Sequence, residues 1–64
     1  MKWTDVYDIA IMLEESHPDV DVMSVKFTDL MVMVMQLHGF DDDRKHCNEK
    51  ILEAIQMAWM DEKN

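Results

Sequence analysis

A chain of 64 residues has room for one small domain, so residues 1–64 are treated as a single unit near the lower size limit for unaided folding. Its 14 acidic and 6 basic residues give a formal net charge of −8, which repels nucleic acid and anionic membranes and attracts basic proteins and cations. Hydrophobic residues make up 48% of the chain, too many for a disordered acidic tail, and one cysteine excludes an internal disulfide.

The N-terminal segment carries acidic residues where a signal peptide would be apolar, and no apolar run approaches membrane-spanning length. The single cysteine also fits a reducing compartment. We therefore expect a cytoplasmic monomer with no nucleic-acid or membrane partner.

The first predicted helix begins after Thr4, which is a suitable N-cap, and ends before Pro18. Its inner face is predicted from apolar residues at helical spacing: Val6, Ile9, Ala10 and Leu13. The outer side carries a weak acidic cluster that is a secondary candidate for cation binding: Asp5, Asp8 and Glu15.

The connector from residue 17 to residue 27 favours turns, and Asp21 is suited to cap a short helical turn that follows it. Thr28 is then predicted to cap a second helix that ends near Leu37. The segment LMVMVMQL is apolar almost all round and alternates methionine with valine, so a buried strand remains an alternative to this helix. Gly39 fits the left-handed position after a helix end, which favours the helix.

The strongest helix signal follows Asn48, which is predicted to cap the third helix. Its inner face is predicted to hold Ile51, Leu52, Ile55, Ala58 and Trp59. Its outer face is predicted to hold Glu49, Glu53, Gln56, Met57 and Met60. Exposed methionine among carboxylates suits docking to a basic protein surface, because carboxylates steer the encounter and thioethers pack. Ordinary exposure at a helix end explains the two methionines equally well.

Three consecutive aspartates, Asp41, Asp42 and Asp43, precede this helix. They fit either a solvated loop or a shallow site for a hard cation, since oxygen ligands suit iron, manganese, magnesium or calcium. Glu49 and Glu53 are the further candidate ligands. Adjacent aspartates need a tight turn to reach one ion, so such a site would bind weakly.

Other chemistry has little support in the sequence. His46 and Cys47 are adjacent, but a structural zinc site needs four ligands in paired spacing, which the chain lacks. No serine, histidine and acid suggest a catalytic triad, and there is no phosphate-binding loop. We therefore expect a protein that is not an enzyme.

Five short motifs in order make the chain resemble the IscX (YfhJ) family of small acidic proteins associated with bacterial iron–sulfur cluster assembly. They are KWTD at 2–5, PDVD at 18–21, VKFTD at 25–29, FDDD at 40–43, and NEKILEAI with a following tryptophan and DE within 48–62. The resemblance implies a compact helical fold related to the winged helix. It also implies binding to the cysteine desulfurase, weak iron binding through surface carboxylates, and a modulating role resembling that of bacterial frataxin.

Arg44 departs from the family pattern, because a proline usually follows the FDDD run. With Lys45 it places two positive charges beside the aspartates, which reduces their attraction for cations.

Three hypotheses follow. The first is an iron-responsive adaptor that binds the desulfurase through Asp41, Asp42, Asp43, Glu49, Glu53, Met57 and Met60, with a ferredoxin or the scaffold protein as further candidate partners. The second is an iron donor whose partner contact is secondary. The third, a DNA-binding helix-turn-helix, conflicts with the charge, because carboxylates on the third helix would face phosphates.

Overall fold

The computed structural model describes all 64 residues and contains three α-helices and no β-strand. The helices are α1 (Val6–Ser16), α2 (Phe27–Met35) and α3 (Glu49–Glu62), and two 3₁₀ turns lie between them, at Val22–Ser24 and Arg44–His46. The prediction of an all-α domain with three helices is confirmed, and the strand alternative for LMVMVMQL is wrong. The relation to the winged-helix arrangement stays a prediction. None of the helices is long and apolar enough to cross a membrane.

Two predicted caps are confirmed. The side chain of Asn48 accepts a hydrogen bond of 2.9 Å from the backbone N–H of Ile51 and so caps α3. Asp21 caps the first 3₁₀ turn by accepting from the backbone N–H of Met23 at 3.3 Å and from Oγ of Ser24 at 2.9 Å. In both cases one short side chain satisfies an N–H that the helix leaves free.

The two predicted threonine caps are wrong. Thr4 lies in a turn, closed by the Asp5 N–H donating to the carbonyl of Lys2 at 2.9 Å, and Asp5 itself occupies the N-cap position. The Asp5 carboxylate turns back to the N–H of Lys2 at 2.8 Å instead of capping α1. Thr28 lies inside the first turn of α2, because that helix begins one residue earlier, at Phe27.

α2 ends at Met35, two residues before the predicted end, and Gly39 then adopts a positive φ of 85°. This left-handed position lets the chain reverse, so that the N–H of Phe40 donates to the carbonyl of Leu37 at 3.1 Å. The reversal directs the acidic run towards the N-terminal segment.

The core lies between α1 and α3, with α2 packed across one side. The predicted inner face of α3 is confirmed, since Leu52, Ile55, Ala58 and Trp59 are buried and Ile51 is half-buried. From α1, the buried residues are Ile9, Ala10 and Leu13. The rest of the core consists of Trp3, Val22, Leu30, Val34 and Leu37. Trp3 was not predicted, and its ring packs edge-on against Phe40 with centroids 4.9 Å apart.

Candidate acidic docking surface

The acidic run lies along the N-terminal segment of the chain. The N–H of Asp41 donates to the carbonyl of Met1 at 3.0 Å, and Nζ of Lys2 donates to the Asp41 carbonyl at 2.7 Å. The Asp41 carboxylate lies 3.1 Å from the terminal ammonium and 3.4 Å from Nζ of Lys2. The hydrogen bond from that ammonium, followed by the charge of Lys2, lowers the pKa of Asp41. The chain's own cations thus partly neutralise this carboxylate.

Asp42 holds the loop against the N-terminal segment. Its side chain is only 12% exposed and accepts hydrogen bonds from the backbone N–H of Trp3 at 3.0 Å and of Asp43 at 2.7 Å. The Nδ1 atom of His46 donates to the same carboxylate at 2.6 Å. The bond from Trp3, followed by that from His46, lowers the pKa of Asp42 to about 2. Asp42 is therefore a structural group with few free lone pairs.

Asp43 makes contacts that differ from those of Asp41 and Asp42. Its carboxylate accepts from the backbone N–H of Lys45 at 2.9 Å and caps the second 3₁₀ turn. Its carbonyl accepts from Nε1 of Trp3 at 2.9 Å, which satisfies the indole N–H of a buried ring. The three aspartates therefore serve separate contacts instead of facing one point.

No group of three or more histidine, cysteine, aspartate or glutamate side chains in the chain is arranged to hold a metal ion. The predicted ligands Asp41, Asp42, Asp43, Glu49 and Glu53 thus do not form an assembled site. Within the second predicted cluster, Asp8 and Glu15 are about 10 Å apart along the helix axis, too far to share an ion.

The predicted outer face of α3 is exposed, except that Gln56 is half-buried. Glu49 and Glu53 are exposed and form no ion pair with a side chain of the protein. Met57 is 69% exposed and Met60 37% exposed. These carboxylates remain free for an external cation or a basic partner.

The exposure of Tyr7 adds a feature that was not predicted. Tyr7 is 75% exposed and borders a cleft of about 480 Å³ between the start of α1 and the outer side of α3. The cleft is lined by Thr4, Val6, Tyr7, Ala54, Met57, Ala58 and Asp61. The available signal was the position of Tyr7 outside the apolar stripe of α1.

Sequence reasoning also missed an ion pair between the ends of α1 and α3. Oε1 of Glu14 accepts from Nε1 of Trp59 at 3.0 Å and lies 2.8 Å from Nζ of Lys63, which also donates to the carbonyl of Pro18 at 3.0 Å. The hydrogen bond from Lys63, followed by that from Trp59, lowers the pKa of Glu14. The only sequence signal was that a buried indole N–H needs an acceptor.

Cys47 is half-buried, and its Sγ lies 3.9 Å from the carbonyl oxygen of Asn48. Burial raises the pKa of the Cys47 thiol. The protonated thiol is a poor nucleophile and a poor metal ligand. Cys47 is therefore a partly buried small side chain.

The chain is similar to known proteins over its whole length. The family described as iron–sulphur cluster assembly matches residues 1–64. An uncharacterised protein of Pseudomonas aeruginosa is 52% identical over 64 residues, which cover 100% of this chain and 97% of that protein. Both similarities extend over the whole of the helical domain.

Proposed function

The chain belongs to the IscX (YfhJ) family of iron–sulphur cluster assembly, and we propose that it acts there as an iron-responsive adaptor that binds the cysteine desulfurase. The supporting observation is the outer face of α3, where Glu49 and Glu53 are exposed and unpaired. With a formal net charge of −8, the protein presents these carboxylates to a basic surface through a strong field.

The acidic run contributes less to this contact than its charge suggests. Asp41 is paired with Lys2. Asp42 is mostly buried and accepts hydrogen bonds from Trp3 and His46. A partner would have to compete with these contacts, so we assign most of the steering to Glu49 and Glu53. Met57 and Met60 on the same helix supply exposed apolar surface beside them.

Iron is proposed as an effector held weakly by surface carboxylates. Glu49 and Glu53 are four residues apart on α3, so their side chains lie one above the other and face the same solvent. Exposed oxygen ligands suit hard cations but leave most coordination positions to water, which gives weak binding. The dispersed placement of the carboxylates favours an adaptor over an iron donor, because a donor needs a site that retains the ion.

The test measures the affinity of the purified chain for a cysteine desulfurase in two titrations, one with a chelator that removes metal ions and one with added ferrous iron. We expect the metal-free chain to bind, and raising salt from about 50 to about 500 mM to weaken binding, because the Debye length falls from above about 10 Å to below about 5 Å. The single changes Glu49→Gln and Glu53→Gln should each weaken binding. The single change Asp19→Asn, which also removes one negative charge but elsewhere on the surface, should weaken it less. Affinity that is unchanged over this salt range contradicts the proposal.

A further inference from the structure

The cleft beside Tyr7 brings together the two most exposed large apolar side chains of the molecule. Tyr7 and Met57 are 75% and 69% exposed, more than any other large hydrophobic side chain of the chain, and both line this one cleft. Ala54, also exposed, lies one turn before Met57 on α3 and lines the same cleft. Exposure of large apolar side chains to water is unfavourable. Tyrosine and methionine are also enriched in the centres of protein interfaces.

The volume of the cleft indicates what it can receive. About 480 Å³ lies within the range of about 300–1,000 Å³ that is usual for ligand sites. The walls are the packed helices α1 and α3, so the cleft is present before a partner binds. A preformed apolar cleft on a rigid helix pair suits a projecting apolar side chain, because little conformational entropy is lost on binding.

The charges around the cleft indicate the chemistry of its partner. Asp61 is the only charged residue of the lining. Acidic residues also flank the lining in sequence, namely Asp5, Asp8, Glu53 and Glu62. The basic residues nearby in sequence are Lys50, one turn before Ala54 on α3, Lys63, which follows α3 and is paired with Glu14, and Lys2, which is paired with Asp41. An apolar cleft with one lining carboxylate and four acidic sequence neighbours complements an apolar side chain that is flanked by basic ones.

We propose that the Tyr7–Met57 cleft anchors a basic protein segment, with an apolar side chain of the segment between Tyr7 and Met57 and its lysine or arginine side chains beside Asp61 and Asp8. The inference rests on the proposed function, since it names the anchor of the same partner contact. Glu49 and Glu53 then govern the rate of encounter, while the cleft governs how long the complex persists.

Binding kinetics with the cysteine desulfurase test this division of roles. Tyr7→Ser and Met57→Ser should each raise Kd about tenfold or more through a faster dissociation rate, with little change in salt dependence. Tyr7→Phe should bind almost normally, because the aromatic ring that lines the cleft is kept. The matched control is Met23→Ser, since Met23 is 65% exposed but lies on the first 3₁₀ turn, outside the cleft, and this change should alter Kd less than twofold. All three positions are exposed, and a thermal transition for each of the four variants checks folding.

Two outcomes separate this inference from the proposed function. If Glu49→Gln and Glu53→Gln weaken binding while Tyr7→Ser and Met57→Ser do not, the cleft inference is overturned and the adaptor function stands. If the unchanged chain does not bind the desulfurase, the adaptor function is overturned, and the cleft is tested alone with a capped Arg-Arg-Leu-Arg-Arg peptide. Amide chemical-shift changes at Ala54, Met57 and Asp61, absent when glycine replaces the peptide leucine, support the cleft. Equal changes with the glycine peptide overturn it.

Discussion

Nε1 of Trp59 donates a hydrogen bond of 3.0 Å to Oε1 of Glu14, which joins α3 to α1 across 45 residues of chain. Trp59 is fully buried, so its indole N–H would otherwise lose the hydrogen bond that it makes with water. The same glutamate oxygen holds Nζ of Lys63. The apolar packing of the two helices is therefore fixed in register by one half-buried carboxylate.

Trp59→Ala is expected to remove cooperative unfolding. Truncation of a buried tryptophan costs about 3–5 kcal/mol, and a domain of 64 residues has little more than that in reserve. Thermal denaturation followed by circular dichroism measures the loss. A variant with a normal transition that fails only in partner binding would show that Trp59 acts in recognition and not in the core.

Glu14→Gln tests the polar part of this contact. The amide oxygen can still accept from Trp59, but the attraction to Lys63 is lost, so the urea midpoint should fall while the cooperative transition remains. Glu15→Gln is the matched control, because Glu15 is exposed and forms no ion pair. An equal fall in both variants would mean that net charge, and not the Glu14 contact, is responsible.

The helix caps give a third prediction on stability, which has an internal control. Asn48→Ala removes the bond to the N–H of Ile51 and should lower the free energy of unfolding by about 0.5–2 kcal/mol. Thr4→Ala and Thr28→Ala should each change it by less than about 0.5 kcal/mol, because neither threonine caps a helix. Urea denaturation of the three variants measures the difference. A loss for Thr28→Ala as large as that for Asn48→Ala contradicts the assignment.

The sequence predicted α3 well because independent local signals agree there. A cap, an acidic first turn and an apolar stripe all place its start after Asn48, and the structure follows each of them. At Thr4 and Thr28 a cap residue followed by an acid was also present, but neighbouring residues compete for the cap position. Asp5 occupies it in α1, one residue later, and Lys26 occupies it in α2, two residues earlier. Element types were therefore predictable, while two of the three helix starts were not.

The structure of the acidic run was not predictable, because its partners are distant in sequence. Asp42 receives the N–H of Trp3, 39 residues away, and Phe40 packs on the same tryptophan. Trp3 precedes α1 and belongs to no periodic pattern, so nothing local marks it as core. The sequence supplied the charge of the run, whereas tertiary contacts decide which of its carboxylates are free.

The Asp42–His46 pair makes the stability of the protein depend on pH in two ranges. Asp42 gives a limb at acid pH, and His46 gives a limb at higher pH. The folded pKa of Asp42 is about 2, below the ordinary value of 3.8, so its contribution is present above about pH 4 and is lost as pH falls towards 2. The pKa of His46 is raised above 6.5 by Asp42, so its contribution is present below pH 6.5 and is lost as pH rises through the folded value. We expect stability to be greatest between about pH 4 and 6.5.

Variants separate the two limbs in urea denaturation across pH. Asp42→Asn should reduce the loss of stability at acid pH without abolishing it, because the pKa values of Asp41 and Glu14 are also lowered. The same change should lower the pKa of His46 in an NMR titration, since it removes the largest cause of the increase. Asp19→Asn is the control and should alter neither. A His46 titration that is the same with and without the Asp42 carboxylate would disprove the coupling.

Iron binding is expected to be weak, carried by carboxylates and independent of Cys47. The exposed oxygens of Asp41, Glu49 and Glu53 suit hard cations, whereas burial keeps the Cys47 thiol protonated. In a ferrous iron titration, Cys47→Ser should leave the isotherm unchanged, and the combined Glu49→Gln and Glu53→Gln changes should flatten part of it. Manganese should compete, because carboxylates discriminate poorly among hard divalent ions. Loss of iron binding in Cys47→Ser, or tight zinc binding that survives the glutamate changes, would instead identify a site at Cys47 and its neighbour His46.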